Sequence, residues 1–216
     1  GLIFSDVPGD HFEEVASGPT YKDLTTIADA QRIIDTYDLG TFELVETPKE
    51  DIFFEKVHNI VLVSNTTALD AMVQKVTSYG LTPRVVSSEL YSDIDSALDL
   101  IFSNQAEDTV VLAAGEPKLV VTETGGSGGR NLYMGLKALS RIQEGSVFIP
   151  LASDGMDNSD CAGAVIDTAT HARAVDRGIA VADYLARFDA YKAFEQIGDM
   201  IMTGPTNANV SDIMIL

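Results

Sequence analysis

A glycine-rich loop contains the residue types best suited to bind an anion. The loop runs from Thr122 to Asn131, and four of the five residues from 125 to 129 are glycine. Glycine leaves backbone N–H groups accessible, and a helix that starts after such a loop points its positive end at a bound phosphate or carboxylate. The predicted anion ligands are Gly125, Gly126, Ser127, Gly128, Gly129, Arg130 and Asn131. The alternative is a flexible connection that carries an ordinary surface arginine.

An acidic loop could supply oxygen ligands to a divalent cation. Asp154, Asp157 and Asp160 lie within seven residues, directly after an apolar run. Carboxylate oxygens are the ligands that Mg²⁺ takes at sites that handle phosphate. We therefore expect Asp154 and Asp157 to bind a metal. The alternative, of equal weight, is an acid-rich turn that binds nothing.

A third loop, from Ser5 to Asp10, places two carboxylates after the first apolar run. Asp6 or Asp10 could act as a general base or as a metal ligand. Pro-Gly-Asp is also a strong turn former, and this loop alone favours a turn.

The elements that must position these loops alternate along the chain. Short apolar runs and helical patterns follow one another, as in an α/β protein. The predicted strands cover residues 1–5, 59–64, 82–87, 109–113, 118–122, 146–151, 162–167 and 213–216. The predicted helices cover residues 25–37, 66–79, 92–102, 131–142 and 180–196. We expect a mainly parallel sheet flanked by helices, with some mixed or antiparallel strands, and ligands bind at the carboxyl ends of such strands.

The composition excludes several functional classes. The chain has 216 residues, and 14 basic against 33 acidic side chains give a net charge of −19. Such a surface repels a phosphate backbone, so we expect no nucleic-acid partner. No apolar run approaches the roughly 20 residues that span a bilayer, so we expect no membrane partner. The single Cys161 excludes an intramolecular disulfide and favours a reduced compartment such as the cytoplasm.

A charged stretch from Glu43 to Lys56, which includes Pro48, predicts a linker between two domains. We expect residues 1–55 to be the tail of a first α/β domain and residues 56–216 to be a second one. An apolar run begins at Gly1 itself, without a Met. We therefore expect the chain to be cut from a longer one, the alternative being the remnant of an expression tag.

Four sequence blocks together resemble the class II glycerate kinases, a family with a C-terminal MOFRL domain whose members are also filed as hydroxypyruvate reductases. Residues 5–10 and 16–20 resemble its SDVxGD and ASGPT blocks, and residues 115–116 and 128–131 resemble GGE and GGRN. Residues 153–164 are similar to SDGxD and AGA, and residues 203–212 to TGPTxxNVxD. Two departures are Ala114, where the family has glycine, and Leu132-Tyr133, where it has Gln-Glu.

The resemblance implies phosphorylation of D-glycerate to 2-phosphoglycerate with ATP and Mg²⁺. It implies that the chain is the C-terminal half of the enzyme, with a MOFRL region at about 113–216 and a catalytic lysine in the missing N-terminal half. Arg130 and either Asp6 or Asp10 match the family's catalytic positions, and we expect Asn207 and Asn209 to line the same cleft. A homo-oligomer is compatible with this assignment.

Two other functions compete with the kinase. The first is an NAD(P)H-dependent hydroxypyruvate reductase, which ranks lower because the glycine loop lacks the G-x-G-x-x-G spacing of a dinucleotide site. The second is a non-catalytic module that binds a small carboxylate or a sugar phosphate.

Overall fold

The computed structural model describes residues 1–122 and 125–216, so Glu123 and Thr124 of the predicted anion loop lie outside the described residues. The chain divides into two compact units. The smaller comprises Gly1–Phe4 and His11–Leu62, and the larger comprises Ser5–Asp10 and Val63–Leu216. The predicted domain limits, 1–55 and 56–216, stay a prediction.

The smaller unit is built on a two-stranded sheet and one helix. Strands β1 (Leu2–Phe4) and β2 (Ile60–Val63) pair with each other, and helix α1 spans Ile27–Tyr37. A capping box starts α1, because the Thr26 N–H and hydroxyl both donate to the Asp29 carboxylate, at 3.0 and 2.8 Å.

The larger unit contains six helices and six strands within the described residues. The helices are α2 (Asn65–Ser78), α3 (Ile94–Ser103), α4 (Arg130–Ala138), α5 (Thr168–Asp176), α6 (Val181–Ala186) and α7 (Ala190–Ile197). The strands are β3 (Thr82–Leu90), β4 (Thr109–Gly115), β5 (Ile149–Ala152), β6 (Gly163–Ala164), β7 (Met200–Ile201) and β8 (Asp212–Ile215). They form one sheet in the order β3-β4-β8-β5-β6-β7.

The sheet is mixed, although most of its strands share a direction. β3 and β4 are parallel, whereas β8 is antiparallel to both of its neighbours, β4 and β5. β6 is antiparallel to both β5 and β7. It follows that β3, β4, β5 and β7 point one way and β8 and β6 the other, which confirms the α/β class with mixed pairings.

The insertion of β8 matters for the site. Its first residue, Asp212, lies opposite Gly115 of β4 and Ala152 of β5. Asp212 therefore sits where two neighbouring strands end, at the carboxyl edge of the sheet where α/β proteins bind ligands.

Both faces of the sheet are covered. Val111 and Ala113 of β4 belong to the main core, while Leu112 and Ala114 pack with Leu69 of α2 on the other face. The main core is built from large, fully buried side chains, including Leu98, Ile101, Leu132, Phe148, Phe194 and Met214.

Two predicted elements differ from the structure. Residues 118–122 form no strand, apart from a single bridge between Lys118 and Asp93, because β3 and β8 already occupy both edges of β4. The predicted helix 180–196 is two helices, α6 and α7, because Phe188 has a φ of 54° and interrupts the helical backbone. Among the described residues, no helix combines the length and the hydropathy that crossing a membrane requires.

Candidate functional site

A cleft of about 800 Å³ opens in the larger unit at the carboxyl ends of β4 and β5. Residues from all parts of the predicted site except the Ser5–Asp10 loop line it. These are Gly128, Gly129, Arg130, Asp154, Asp157 and Asn209. Residues 116–121, Ser211 and Asp212 also line it.

Arg130 is the first residue of α4 and reaches the cleft with a half-buried side chain. Its Nε donates a hydrogen bond to Oδ2 of Asp212 at 2.9 Å, and its Nη1 lies 3.4 Å from Oε2 of Glu116. Partial burial works against the charge of Arg130, but the nearby carboxylates, Asp212 foremost, raise its pKa above the usual value. Arg130 is therefore a firmly charged cation in an acidic protein.

Asp212 supplies the buried partner of this ion pair. Its side chain is only 5% exposed, and its backbone lies in the sheet ladder. Burial raises the pKa of Asp212, and the contact with Arg130 acts in the opposite direction.

Asp157 is bound to the start of α4. Its Oδ1 accepts hydrogen bonds from the backbone N–H and the side-chain amide of Asn131, at 3.0 and 3.1 Å. Its Oδ2 accepts from the N–H groups of Gly129 and Leu132, at 3.1 and 2.7 Å. Burial raises the pKa of Asp157, which these donors oppose. A carboxylate with four donors has no lone pair left for a cation, so the geometry gives Asp157 a structural role instead of the predicted metal-binding one.

The glycine loop packs against the turn between α6 and α7. The N–H and the hydroxyl of Ser127 both donate to Oδ1 of Asp189, at 3.1 and 2.7 Å. A Cβ on Gly126 would lie 2.2 Å from the carbonyl oxygen of Phe188, and one on Gly129 would lie 2.3 Å from Oδ1 of Asp157. Close approach, as much as ligand binding, therefore explains why these positions are glycine.

The predicted anion ligands are thus used in different ways. The N–H groups of Ser127, Gly129 and Asn131 donate to carboxylates of the chain itself. For Gly125, Gly126 and Gly128 the described part of the chain provides no hydrogen-bond acceptor. Arg130 remains the strongest candidate among them for contact with a bound anion.

Asp6 and Asp10 face different surroundings. The side-chain amide of Asn209, a residue of the cleft wall, donates to Oδ2 of Asp6 at 3.3 Å. Asp10 instead accepts a hydrogen bond from the hydroxyl of Thr66, at the start of α2, at 3.0 Å. The structure therefore links Asp6, and not Asp10, to the wall of the cleft.

The remaining predicted site residues are Asp154 and Asn207. Asp154 lies in the cleft wall and accepts the N–H of Met156 at 2.9 Å. Asn207 occupies a turn with a φ of 61° and does not line the cleft.

The described residues do not fit a protein-held metal. Nowhere in residues 1–122 and 125–216 do three His, Cys, Asp or Glu side chains converge as a metal site would require. With both oxygens of Asp157 occupied, Asp154 is the remaining member of the predicted pair. A resident Mg²⁺ is therefore not supported by the residues present.

Sequence reasoning missed Asp212 and Glu116 as partners of Arg130. Glu116 stands in the GGE-like block and Asp212 ends the last block, immediately before an apolar run. A lone carboxylate at the first position of a buried strand is the signal that could have identified Asp212, because such a group needs a cationic partner.

Known protein families and relatives match most of this chain. The MOFRL family matches residues 109–212, and a domain of unknown function, DUF4147, matches residues 1–49. A glycerate 2-kinase of Pyrococcus horikoshii is 31% identical over 99% of this chain and 54% of its own length. A putative hydroxypyruvate reductase of Agrobacterium vitis is 33% identical over 98% of this chain and 53% of its own length.

A solved structure shares the fold. The crystal structure of glycerate kinase from Thermotoga maritima superposes with a TM-score of 0.88 at 27% identity, over 99% of this chain and 55% of that one. The chain thus spans about half the length of the relatives that it matches. These matches confirm the resemblance found in the sequence blocks, and residues 109–212 of the chain match the MOFRL family model.

Proposed function

We propose that this chain contributes the Arg130 cleft to an enzyme that phosphorylates D-glycerate with ATP, giving 2-phosphoglycerate. The observation that carries the proposal is a charged arginine, bound at Nε by a buried carboxylate, in a cleft at the carboxyl edge of the sheet. Several relatives that match this chain over 99–100% of its length are named glycerate 2-kinases.

Arg130 suits the carboxylate of D-glycerate. A guanidinium pairs with a planar carboxylate through two parallel N–H donors, and Arg130 has terminal nitrogens that Asp212 does not occupy. In a protein with a net charge of −19, a small anion needs such a local cation to bind.

Asp6 suits the proton transfer. In the proposed reaction the 2-hydroxyl oxygen of glycerate forms a bond to the γ-phosphorus of ATP while the bond from that phosphorus to the β,γ-bridging oxygen breaks and ADP leaves. The hydroxyl proton passes to Asp6, which Asn209 links to the cleft wall. We assign this role to Asp6 and not to Asp10, because Asp10 is bound to Thr66.

The metal enters as part of the nucleotide. Mg²⁺ bound with ATP would neutralise the charge that develops on the phosphates during transfer. No step in the proposed reaction requires a metal held by Asp157. Asp154, which lies in the cleft wall, is the carboxylate of the predicted pair that would contact MgATP. We place the reaction in the cytoplasm, where the single thiol of Cys161 stays reduced.

Thermal denaturation of the chain with separate ligands tests the proposal. D-glycerate and MgATP, each at about 100 times its Kd, should raise Tm by roughly 5–11 °C in a chain of this size. Arg130→Ala should weaken D-glycerate binding and so remove most of the shift at the same ligand concentration. Arg141→Ala should preserve it, because Arg141 pairs with Asp99 outside the cleft. The absence of both shifts in the unmodified chain would contradict the proposal.

The name of the Agrobacterium vitis relative supports a second candidate, reduction of hydroxypyruvate by NAD(P)H. This candidate requires a dinucleotide site, and the glycine loop lacks the spacing of one. A Tm shift with NADPH but not with MgATP, together with loss of absorbance at the nicotinamide band on adding hydroxypyruvate, would favour the reductase.

A further inference from the structure

We infer that Asp212 is a positioning residue that orients the guanidinium of Arg130, so that its terminal nitrogens are presented to an anionic ligand. The identity of that ligand rests on the proposed function. The pairing itself rests on the geometry of the larger unit alone.

Asp212 is held rigidly by the sheet. Its backbone pairs with β4 on one side and β5 on the other, through Gly115 and Ala152. A residue held in two ladders cannot follow the movements of a surface loop. Arg130, in contrast, is a long side chain at the start of a helix, beside the glycine run. The rigid member of the pair therefore sets the direction of the flexible one.

Asp212 binds the Nε atom of Arg130 and leaves the terminal nitrogens to other partners. Asp212 accepts from Nε at 2.9 Å, whereas Glu116 approaches Nη1 only to 3.4 Å and is about two-fifths exposed. When Nε is hydrogen-bonded to Asp212, the plane of the guanidinium is fixed. Its two terminal amino groups then point in a single direction. An anion can still pair with both terminal nitrogens in the fork geometry that carboxylates prefer.

The negative charge of Asp212 works against the attraction of an anion to Arg130. A carboxylate at 2.9 Å reduces the positive potential that Arg130 offers to an anion. If attraction were the only requirement, a neutral residue at position 212 would serve better. The buried acid beside Arg130 therefore indicates that Asp212 orients the guanidinium, because it would only weaken a simple electrostatic attraction of the anion.

Binding of D-glycerate to Asp212→Asn distinguishes these roles. This near-isosteric change removes the charge, so a purely electrostatic role predicts tighter binding. An orienting role predicts binding at least about tenfold weaker, because the neutral amide of asparagine accepts a weaker hydrogen bond from Nε and holds the fork less firmly than the carboxylate does. Calorimetric titration with D-glycerate gives the ratio of the two Kd values, and tighter or unchanged binding would overturn the inference.

A double-mutant cycle separates orientation from a general loss of structure. If Asp212 acts through Arg130, Asp212→Asn should have no further effect on D-glycerate binding in an Arg130→Ala background. Equal losses in both backgrounds would mean that Asp212 acts independently of Arg130. Asp95→Asn is the matched control, because Asp95 pairs with Lys137 outside the cleft and its loss should leave the Kd unchanged.

A second measurement does not depend on D-glycerate. The Nε–H resonance of Arg130, assigned by its loss in Arg130→Ala, should exchange with water at least about tenfold faster in Asp212→Asn than in the unmodified chain and in Asp95→Asn. Unchanged exchange would refute the pairing. If the unmodified chain binds no D-glycerate, the proposed function fails. The exchange rate of the Nε–H resonance, recorded with and without inorganic phosphate, still decides whether Asp212 orients Arg130.

Discussion

Asp157 stabilises the first turn of α4 because its two oxygens accept four hydrogen bonds there. Only 4% of the residue is exposed, so water cannot replace the carboxylate if it is removed. We expect Asp157→Ala to lower the free energy of unfolding by about 2–4 kcal/mol, through the lost cap and the unpaired donors.

Denaturant unfolding followed by circular dichroism measures this loss. Asp154→Ala is the matched control, because Asp154 lies in the same loop and accepts a single N–H, that of Met156. We expect it to cost about 1 kcal/mol or less. Equal losses for the two variants would mean that Asp157 does not hold the helix.

Asp23 in the smaller unit has a pKa of about 2, below the usual 3.8. The hydroxyl and N–H of Thr25 and the hydroxyl of Thr47 stabilise its charged form through hydrogen bonds. Because the folded-state pKa is lowered, the stability that Asp23 contributes is present above about pH 4 and is lost as pH falls towards 2.

A carbon-13 titration of the side-chain carboxylates tests this value. Thr25→Ala should move the midpoint of Asp23 upwards, towards 3.8, because its largest single cause is removed. Thr36→Ala should leave it unchanged, since that hydroxyl donates to the carbonyl of Arg32 instead. A midpoint near 3.8 in the unmodified chain would refute the prediction.

Residue types in the sequence singled out the glycine loop and the acidic loop, which both line the cleft, but not how their carboxylates are used. Arg130 could be singled out because an arginine at the end of a glycine loop has few structural explanations. Asp157 and Asp154 are identical in type and three positions apart, yet one is buried against a helix and the other is half-exposed in a cleft wall. The difference is set by tertiary packing, which spacing alone does not specify.

At the scale of elements, the glycine run is a packing device that lets the loop before α4 lie against the turn between α6 and α7. Gly126 has no positive φ, but a Cβ there would lie 2.2 Å from one backbone carbonyl oxygen and 2.3 Å from another, those of Phe188 and Arg187. Backbone atoms cannot move aside as a side chain would. We therefore expect Gly126→Ala to lower the free energy of unfolding by about 2 kcal/mol or more.

Gly178→Ala is the comparison variant, measured in the same denaturant experiment. Gly178 has a φ of 63° and open space around its Cα, so alanine there costs about 1 kcal/mol through backbone strain alone. A smaller loss at Gly126 than at Gly178 would contradict the packing explanation.

The order of the helices and strands along the chain could be predicted from the sequence more fully than the pairing of the strands. Apolar runs of four to six residues between helical patterns marked β2, β3, β4 and β5 within a few residues. No local signal places the last strand, β8, between β4 and β5, because that position depends on which edges remain open after the earlier strands have paired. Residues 118–122 are apolar but form no strand, because both edges of β4 are already paired.

At the scale of the whole molecule, the two compact units differ in the apolar area that they bury. Among the described residues, the buried hydrophobic side chains of the smaller unit are Ile3 and Ile34, while Leu24 and Val45 are 85% and 80% exposed. In the larger unit many large side chains are fully buried, Phe148 and others of the main core included. Buried apolar area is the main source of stability, so the smaller unit should open at a lower free energy.

Hydrogen exchange of the intact chain measures that difference residue by residue. Backbone amides of α1 should exchange at least about 100-fold faster than those of α4 and β4, after correction for intrinsic rates. Leu132→Ala removes a fully buried side chain of α4 and should cost about 2–5 kcal/mol. It should therefore lower protection throughout α4 and β4 while α1 is unaffected. If α1 and β4 instead show equal protection, and both lose it in Leu132→Ala, the chain unfolds as one cooperative unit and the buried area of each part does not set its local stability.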